Sequence, residues 1–195
     1  MIHNFFSTPI YIDADQDNTV ESELSSIIPR LEFKNDWQPH NDTANTTFIP
    51  NKQTNIIEDY KLLNTKKLIL KHVKKYLNDA QQSIEDEYQI VESWLNIFEK
   101  DNNIGLHEHG YQPNTVSGVY YHKADKDCGM ISFKSPNPFV ISFPHRCEQY
   151  SKIVRVPPEQ GMIILFPSWL QHKVEPNKAD KERVSLSFNI EFLYR

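Results

Sequence analysis

Cysteine is scarce in this chain: its 195 residues hold two, Cys128 and Cys147, and neither stands in a Cys-x-x-Cys arrangement. A disulfide framework and a thiolate zinc ribbon are thereby excluded, and a reduced compartment fits best. Basic charge is also short. Against 26 Asp and Glu there are 21 Lys and Arg, a formal net charge of −5, and no Lys/Arg-rich stripe offsets it as a general nucleic-acid binder would need. Nowhere do 18 apolar residues run together, and Met1-Ile2-His3-Asn4-Phe5-Phe6 has neither a basic n-region nor a long apolar h-region. The expectation is a cytoplasmic protein with no membrane segment. There is no internal repeat, no low-complexity tract and no clean linker. A hydrophobic content of 38% with 24% charged residues is ordinary for a globular protein, and the length suits one domain over residues 1–195, with 1–90 as helical support and loops and 91–195 as the core.

The first 90 residues read as scaffold. Phe5 to Ile12 is aromatic and β-branched but contains Pro9, which suits an edge strand or an extended segment. Asn18 followed by Glu21 resembles a capping box, and Val20, Leu24, Ile27 and Ile28 recur at helical spacing until Pro29. Trp37 to Asn55 is polar, with Pro39 and Pro50, and reads as a long loop able to cover a site. Tyr60 to Ile84 places Leu63, Leu68, Leu70, Val73, Tyr76 and Leu77 between lysines, an amphipathic helix to back a sheet, with Lys66 through Lys75 on its solvated face.

Beyond Glu87 the pattern turns to short apolar runs: Ile90 to Phe98, Val116 to Tyr121, Met130 to Phe133, Phe139 to Phe143, Ile153 to Val156, Met162 to Phe166 and Val184 to Phe192. Turn-forming stretches such as Pro136-Asn137-Pro138 and Pro157-Pro158-Glu159 separate them, as in a double-sheet jelly roll. Within this half, His107-Glu108-His109 is followed by His172 after an apolar run, and then by Arg183-Val184-Ser185. On an extended strand residues i and i+2 share a face, so His107 and His109 project together. Two imidazoles are half a metal site, and imidazole suits iron, copper, nickel and zinc. Arg183 stays charged at any working pH and its planar fork matches a carboxylate, with Ser185 on the same strand face. A surface ion pair of Arg183 with Glu182 or Glu191 is the plainer alternative.

In this order the chain resembles the iron(II)- and 2-oxoglutarate-dependent oxygenases, and within them a branch of unassigned activity that bacteria and phages carry. The resemblance rests on Trp94-Leu95-Asn96, His107-Glu108-His109, Ser117-Gly118-Val119-Tyr120-Tyr121, Phe166-Pro167-Ser168-Trp169-Leu170 with His172, and Arg183-Val184-Ser185. It covers residues 91–192 and is faint before them. It implies a mainly β fold with N-terminal helices, a double-stranded β-helix of jelly-roll, cupin-like form. It implies iron(II) held by His107, His109 and His172, and 2-oxoglutarate held by Arg183 and Ser185 with Tyr120 and Asn96, with no catalytic residue beyond the metal ligands. It implies hydroxylation of a substrate, with 2-oxoglutarate converted to succinate and CO2. One position departs: His109 stands where that superfamily carries a carboxylate, with Glu108 on a bulge, Asp101 or Asp125 as less well placed substitutes.

Two other readings stay open at this level. A cupin-type three-histidine dioxygenase would use the same histidines without 2-oxoglutarate, and a non-catalytic jelly-roll binding module would keep the barrel alone. The substrate, a small molecule or a protein, carries no signature, and a homodimer is left open. His3, His40 and His72 read as surface residues, His122 as a strand end, His145 and Arg146 as a solvated loop, and Trp94 and Trp169 as core aromatics.

Overall fold

The computed structural model describes residues 7–35, 42–50, 52–80, 87–110, 116–137 and 152–193. Ten strands fall in chain order: β1 (Tyr11–Ala14), β2 (Asn45–Thr46), β3 (Glu87–Phe98), β4 (Ile104–His107), β5 (Val116–Lys123), β6 (Ile131–Lys134), β7 (Ile153–Val156), β8 (Met162–Pro167), β9 (His172–Val174) and β10 (Arg183–Leu193). They form a six-stranded sheet in the order β1-β8-β5-β10-β3-β2 and a four-stranded sheet in the order β4-β9-β6-β7, and the paired strands are antiparallel. This is the double-stranded β-helix, mainly β with few helices.

Among the described residues three α-helices precede the long strands, α1 (Asn18–Ile27), α2 (Ile56–Asp59) and α3 (Leu63–Asp79), and a 3-10 helix (Ile28–Arg30) follows α1. Asp17, not Asn18, caps α1, its side chain accepting from the backbone N–H of Thr19 at 2.8 Å. α3 starts three residues later and stops five earlier than its periodicity predicts, and it buries Leu68, Ile69, Val73, Tyr76 and Leu77. These side chains join Val20 and Leu24 of α1 against one face of the large sheet, where Leu95, Tyr120, Ile163, Leu165, Val184, Leu186 and Ile190 meet them. Each such fully buried aliphatic side chain stabilises by about 1.5–3 kcal/mol, so the helices are held by this face rather than by their own propensity.

Strand alternation splits the large sheet cleanly. The alternate residues of the same strands, Val119 and Tyr121 of β5 and Ile164 and Phe166 of β8, point the other way and pack with Ile131 and Phe133 of the small sheet. β1 is an edge strand, as Pro9 suggests, although it begins at Tyr11 and pairs only with β8. The Trp37–Asn55 stretch is not wholly a loop, because Asn45 and Thr46 pair with Ile97 and Asn96. The predicted strand Phe139–Phe143, together with His3, His40, His145, Arg146, Cys147 and most of the Ser135–Lys152 connection, lies outside the described residues.

Two histidines assigned to the surface and a strand end are buried on the helix side. His72 is fully enclosed, with Nδ1 2.8 Å from Tyr11 Oη and Nε2 3.3 Å from Asp15 Oδ2. Burial pushes its pKa down. Its neighbours Lys71 and Lys75 pair with Asp15 and Asp13 of the β1 segment. His122 is buried with Nδ1 2.9 Å from Glu21 Oε2. The apolar spacing of α3 did not reveal His72 because a histidine between lysines reads as part of the polar face.

Candidate active site

The inner space between the sheets is where the three motif histidines converge. β9 sets His172 directly opposite His107 of β4, and neighbouring strands lie about 5 Å apart, so the imidazole centroids stand 4.3 Å apart. His109 lies two residues past the end of β4. Its backbone N–H donates to the Ser168 carbonyl at 2.9 Å, and Gly110, at φ +82°, turns the chain immediately afterwards. Its ring centroid is 5.0 Å from each of the other two. The ligand-capable atoms of His107, His109 and His172 all lie within 4.8 Å of one another. The pair thus meets as expected, but a turn after the strand delivers His109, not simple strand alternation.

Their hydrogen bonds fix which nitrogen is available. Nδ1 of His107 donates to the Gly105 carbonyl and Nδ1 of His172 to the Leu170 carbonyl, both at 2.8 Å. A carbonyl only accepts, so these protons sit on Nδ1 and each Nε2 carries its lone pair, the tautomer a metal ligand needs. Burial, then the nearby His107, pushes the pKa of His109 down to about 3. Burial, His107 and His109 hold that of His172 well below its usual range. Neutral imidazoles are metal-competent imidazoles.

Behind the histidines lies a cavity of about 60 Å³ walled by Asn96, Tyr121, Arg183 and Ser185 among others, several times the roughly 10–15 Å³ that one water needs. Arg183 is 1% exposed. One of its terminal nitrogens donates to the Cys128 and Gly129 carbonyls at 3.1 and 2.8 Å, and its guanidinium carbon stands 3.8 Å over the Phe98 ring. Gly129 has φ +87°, and a Cβ there would come within 2.2 Å of the Glu175 carbonyl, so only glycine lets this turn press its carbonyl on the arginine. Nε has no partner, and no carboxylate pairs with the cation among the described residues. Glu182, the ion-pair candidate beside it, is taken by Lys123 at 2.8 Å.

Tyr120 does not belong to this cavity, which corrects the expectation drawn from the resemblance. β5 and β10 run in the register Ser185↔Tyr121 and Leu186↔Tyr120, so Tyr121 faces inward beside Arg183. Tyr120 faces the helices, where its hydroxyl donates to Glu21 at 3.0 Å. Burial raises the pKa of Tyr121 to about 12, keeping the phenol protonated as a donor. Two consecutive tyrosines always split between the faces of a strand; which one turns inward depends on register.

The remaining candidates sort plainly. Asn96 and Ser185 both line the cavity, paired across β3 and β10. Asp101 is bonded to Lys178 and Asp125 to Lys181, away from the histidines. Glu108 is outside the cluster of ligand atoms. Trp94 is more than a core aromatic, since it lines the cavity with its ring centroid 5.6 Å from His109. Trp169 is half exposed and no core residue. No helix among the described residues is long and apolar enough to cross a membrane.

Comparison with known proteins gives the same direction. A family model described as "Putative 2OG-Fe(II) oxygenase" matches residues 92–189. No match was found among curated proteins by sequence. Among solved structures, HygX from Streptomyces hygroscopicus with nickel and 2-oxoglutarate bound aligns at a TM-score of 0.62 with 14% identity, over 94% of this chain and 82% of that one. A Pseudomonas putida prolyl-4-hydroxylase aligns at 0.60 with 15% identity over 97% and 94%. An oxidoreductase of the 2OG-Fe(II) oxygenase family from Burkholderia pseudomallei aligns at 0.59 with 18% identity over 88% and 77%. At these identities the structures establish a shared fold.

Proposed function

The chain belongs to the 2OG-Fe(II) oxygenase family, and we propose that within it the protein hydroxylates a substrate C–H bond at a site built from His107, His109, His172 and Arg183. In balance, substrate, O2 and 2-oxoglutarate give the hydroxylated product, succinate and CO2. Iron, when bound, supplies the redox chemistry that couples these changes.

The observation that carries this reading is the buried guanidinium of Arg183. A charge taken out of water without a counter-ion is costly, and a fold that keeps one in a cavity keeps it for an anion. The carboxylate of 2-oxoglutarate is such an anion, with Ser185 and Tyr121 offering hydroxyl donors and Asn96 an amide on the same wall. The three imidazoles, with ligand-capable atoms within 4.8 Å of one another, fit a divalent metal at the other end of that cavity. His107 and His172 are oriented by the Gly105 and Leu170 carbonyls, so the ligands are pre-set rather than gathered. Phe98, Ile131 and Phe166 supply apolar walls to the same cavity. A three-histidine enzyme without 2-oxoglutarate would leave Arg183 with no anion to hold.

The test is succinate formation from 2-oxoglutarate under oxygen by Fe(II)-loaded protein, wild type beside His109→Asp. His109→Asp lowers the charge of the ligand set by one unit and is expected to keep iron and form succinate. If neither protein forms succinate with a broad panel of candidate substrates, while both bind metal and 2-oxoglutarate, the oxygenase reading gives way to a ligand-binding module.

A further inference from the structure

The histidine cluster also faces a second, larger cavity. This outer space, about 460 Å³, shares Trp94, Asn96, Ile104, His107 and His109 with the inner one, and lies within the roughly 300–1,000 Å³ typical of small-molecule sites. Phe48 and Trp94 form an aromatic wall, their ring centroids 5.2 Å apart. Opposite in character are three half-buried carboxylates: Asp42, which accepts from the Gly105 N–H at 2.6 Å, and Glu92 and Glu108. Glu92 is held firmly: Asn189 Nδ2 donates to its Oε2 at 2.7 Å, and Asn189 Oδ1 accepts in turn from Ser117 Oγ at 2.8 Å.

Among the described residues no Lys or Arg lines this cavity, and none forms an ion pair with Glu92 or Glu108. A separate side chain makes the same demand. Asn96 is 3% exposed and lies on the wall common to both cavities; its Nδ2 donates to Ser187 Oγ at 3.1 Å, and no donor reaches its Oδ1 among the described residues. An acceptor left open on the cavity wall calls for a hydrogen-bond donor, and Glu92 and Glu108, with no cation among the described residues, call for that donor to be positive. An aromatic pair beside them favours a cation with an apolar body and disfavours a hydrated anion.

We propose that the outer cavity is the substrate subsite and that it takes a small molecule bearing a protonated amine. The ammonium group is held by Glu92, Glu108 and Asn96 Oδ1, and the apolar part lies on Phe48 and Trp94. The assignment rests on the reading of the histidine cluster as the reaction centre, and it excludes carboxylate- or phosphate-bearing substrates from this wall.

The probes are 2-phenylethylamine, 2-phenylethanol and phenylacetate, which share a ring and differ in head-group charge, and a short lysine-containing peptide. Each is titrated by calorimetry or ligand-observed NMR into Fe(II)-loaded protein with 2-oxoglutarate, without oxygen. The amine is expected to bind at least about tenfold more tightly than the alcohol, phenylacetate more weakly than either, and the peptide more weakly than the free amine. Glu92→Gln and Glu108→Gln should each erase most of the amine's advantage while leaving the alcohol unchanged. Equal binding of the three probes, or binding of none, overturns the assignment. Tightest binding of the peptide overturns the small-molecule class in favour of a protein lysine. If the wild type fails to bind 2-oxoglutarate at the outset, the reading of the whole site falls and this subsite with it. If 2-oxoglutarate binds and the amine shows no preference, the subsite alone falls.

Discussion

The two faces of the six-stranded sheet both bury polar and ionisable side chains, yet they treat them differently. On the helix side, His72 touches Tyr11 and Asp15, Tyr120 donates to Glu21, and His122 stands beside the same glutamate. On the barrel side, the imidazoles of His107 and His172 place Nδ1 on a carbonyl, and Arg183 Nε has no partner among the described residues. Burial alone therefore does not mark the site. His122 Nδ1, like Arg183 Nε, makes no hydrogen bond, but it faces the Glu21 carboxylate at 2.9 Å, whereas Arg183 has no carboxylate among the described residues and keeps capacity for a ligand. The two faces divide on β5 within one step, between Tyr120 and Tyr121.

Removing a ligand should give the largest difference between the faces. Alanine at His107, His109 or His172 is expected to lower iron affinity by more than the roughly 10–100-fold that loss of a supporting partner costs, whereas His72→Ala should leave iron content, measured per folded protein, unchanged. Three single variants with wild-type iron would move the metal elsewhere. Next comes Arg183. Arg183→Ala should weaken 2-oxoglutarate binding at least about tenfold, and Arg183→Lys should recover only part, because a point charge cannot form the fork. Arg183→Met sharpens the contrast: without 2-oxoglutarate its thermal midpoint should match or exceed the wild type, since an unpaired buried charge is replaced by an apolar side chain. A steep loss of apo stability would make Arg183 a structural residue after all.

The tyrosine pair should show a smaller, crossed effect. Tyr121→Phe is expected to weaken 2-oxoglutarate binding with little change in stability. Tyr120→Phe should cost about 1–2 kcal/mol of stability through the lost bond to Glu21 and leave 2-oxoglutarate affinity alone. Equal effects of the two on 2-oxoglutarate would break the register argument. The smallest effect is the pH response of His72. Its folded pKa lies below the model-peptide value of 6.5 because burial disfavours the charged ring, so below about pH 6.5 the unfolded chain binds the proton more readily and stability is lost as pH falls. The drop in thermal midpoint between pH 7 and pH 5 should be shallower in His72→Gln than in the wild type; an equal drop would assign it to other groups.

Much of this molecule was legible before any coordinates. Short apolar runs marked β3, β5 to β8 and β10 close to their observed bounds, because a sheet with both faces covered must spend nearly every residue on burial. The three histidines and Arg183 were legible as types in an order, since metal and carboxylate chemistry accepts few side chains. Spacing could not say that His109 arrives by a turn rather than on the strand, nor that His72 is enclosed; both depend on which elements pack where.

Register was the other thing left to the tertiary structure. That one of Tyr120 and Tyr121 must face the cavity follows from the period of a strand, but choosing Tyr121 required the pairing Ser185↔Tyr121, which is set by a register shift between Val184 and Ser185. The outer cavity is likewise a product of assembly: Glu92 and Trp94 of β3 are joined there by Phe48 and Glu108 from two other segments, with no shared motif. The sequence determined which chemistries this chain is equipped for, because side-chain type is local. Only the closed barrel decided which of those side chains remain unsatisfied, because hydrogen-bond partners and counter-ions are supplied by residues distant in the chain.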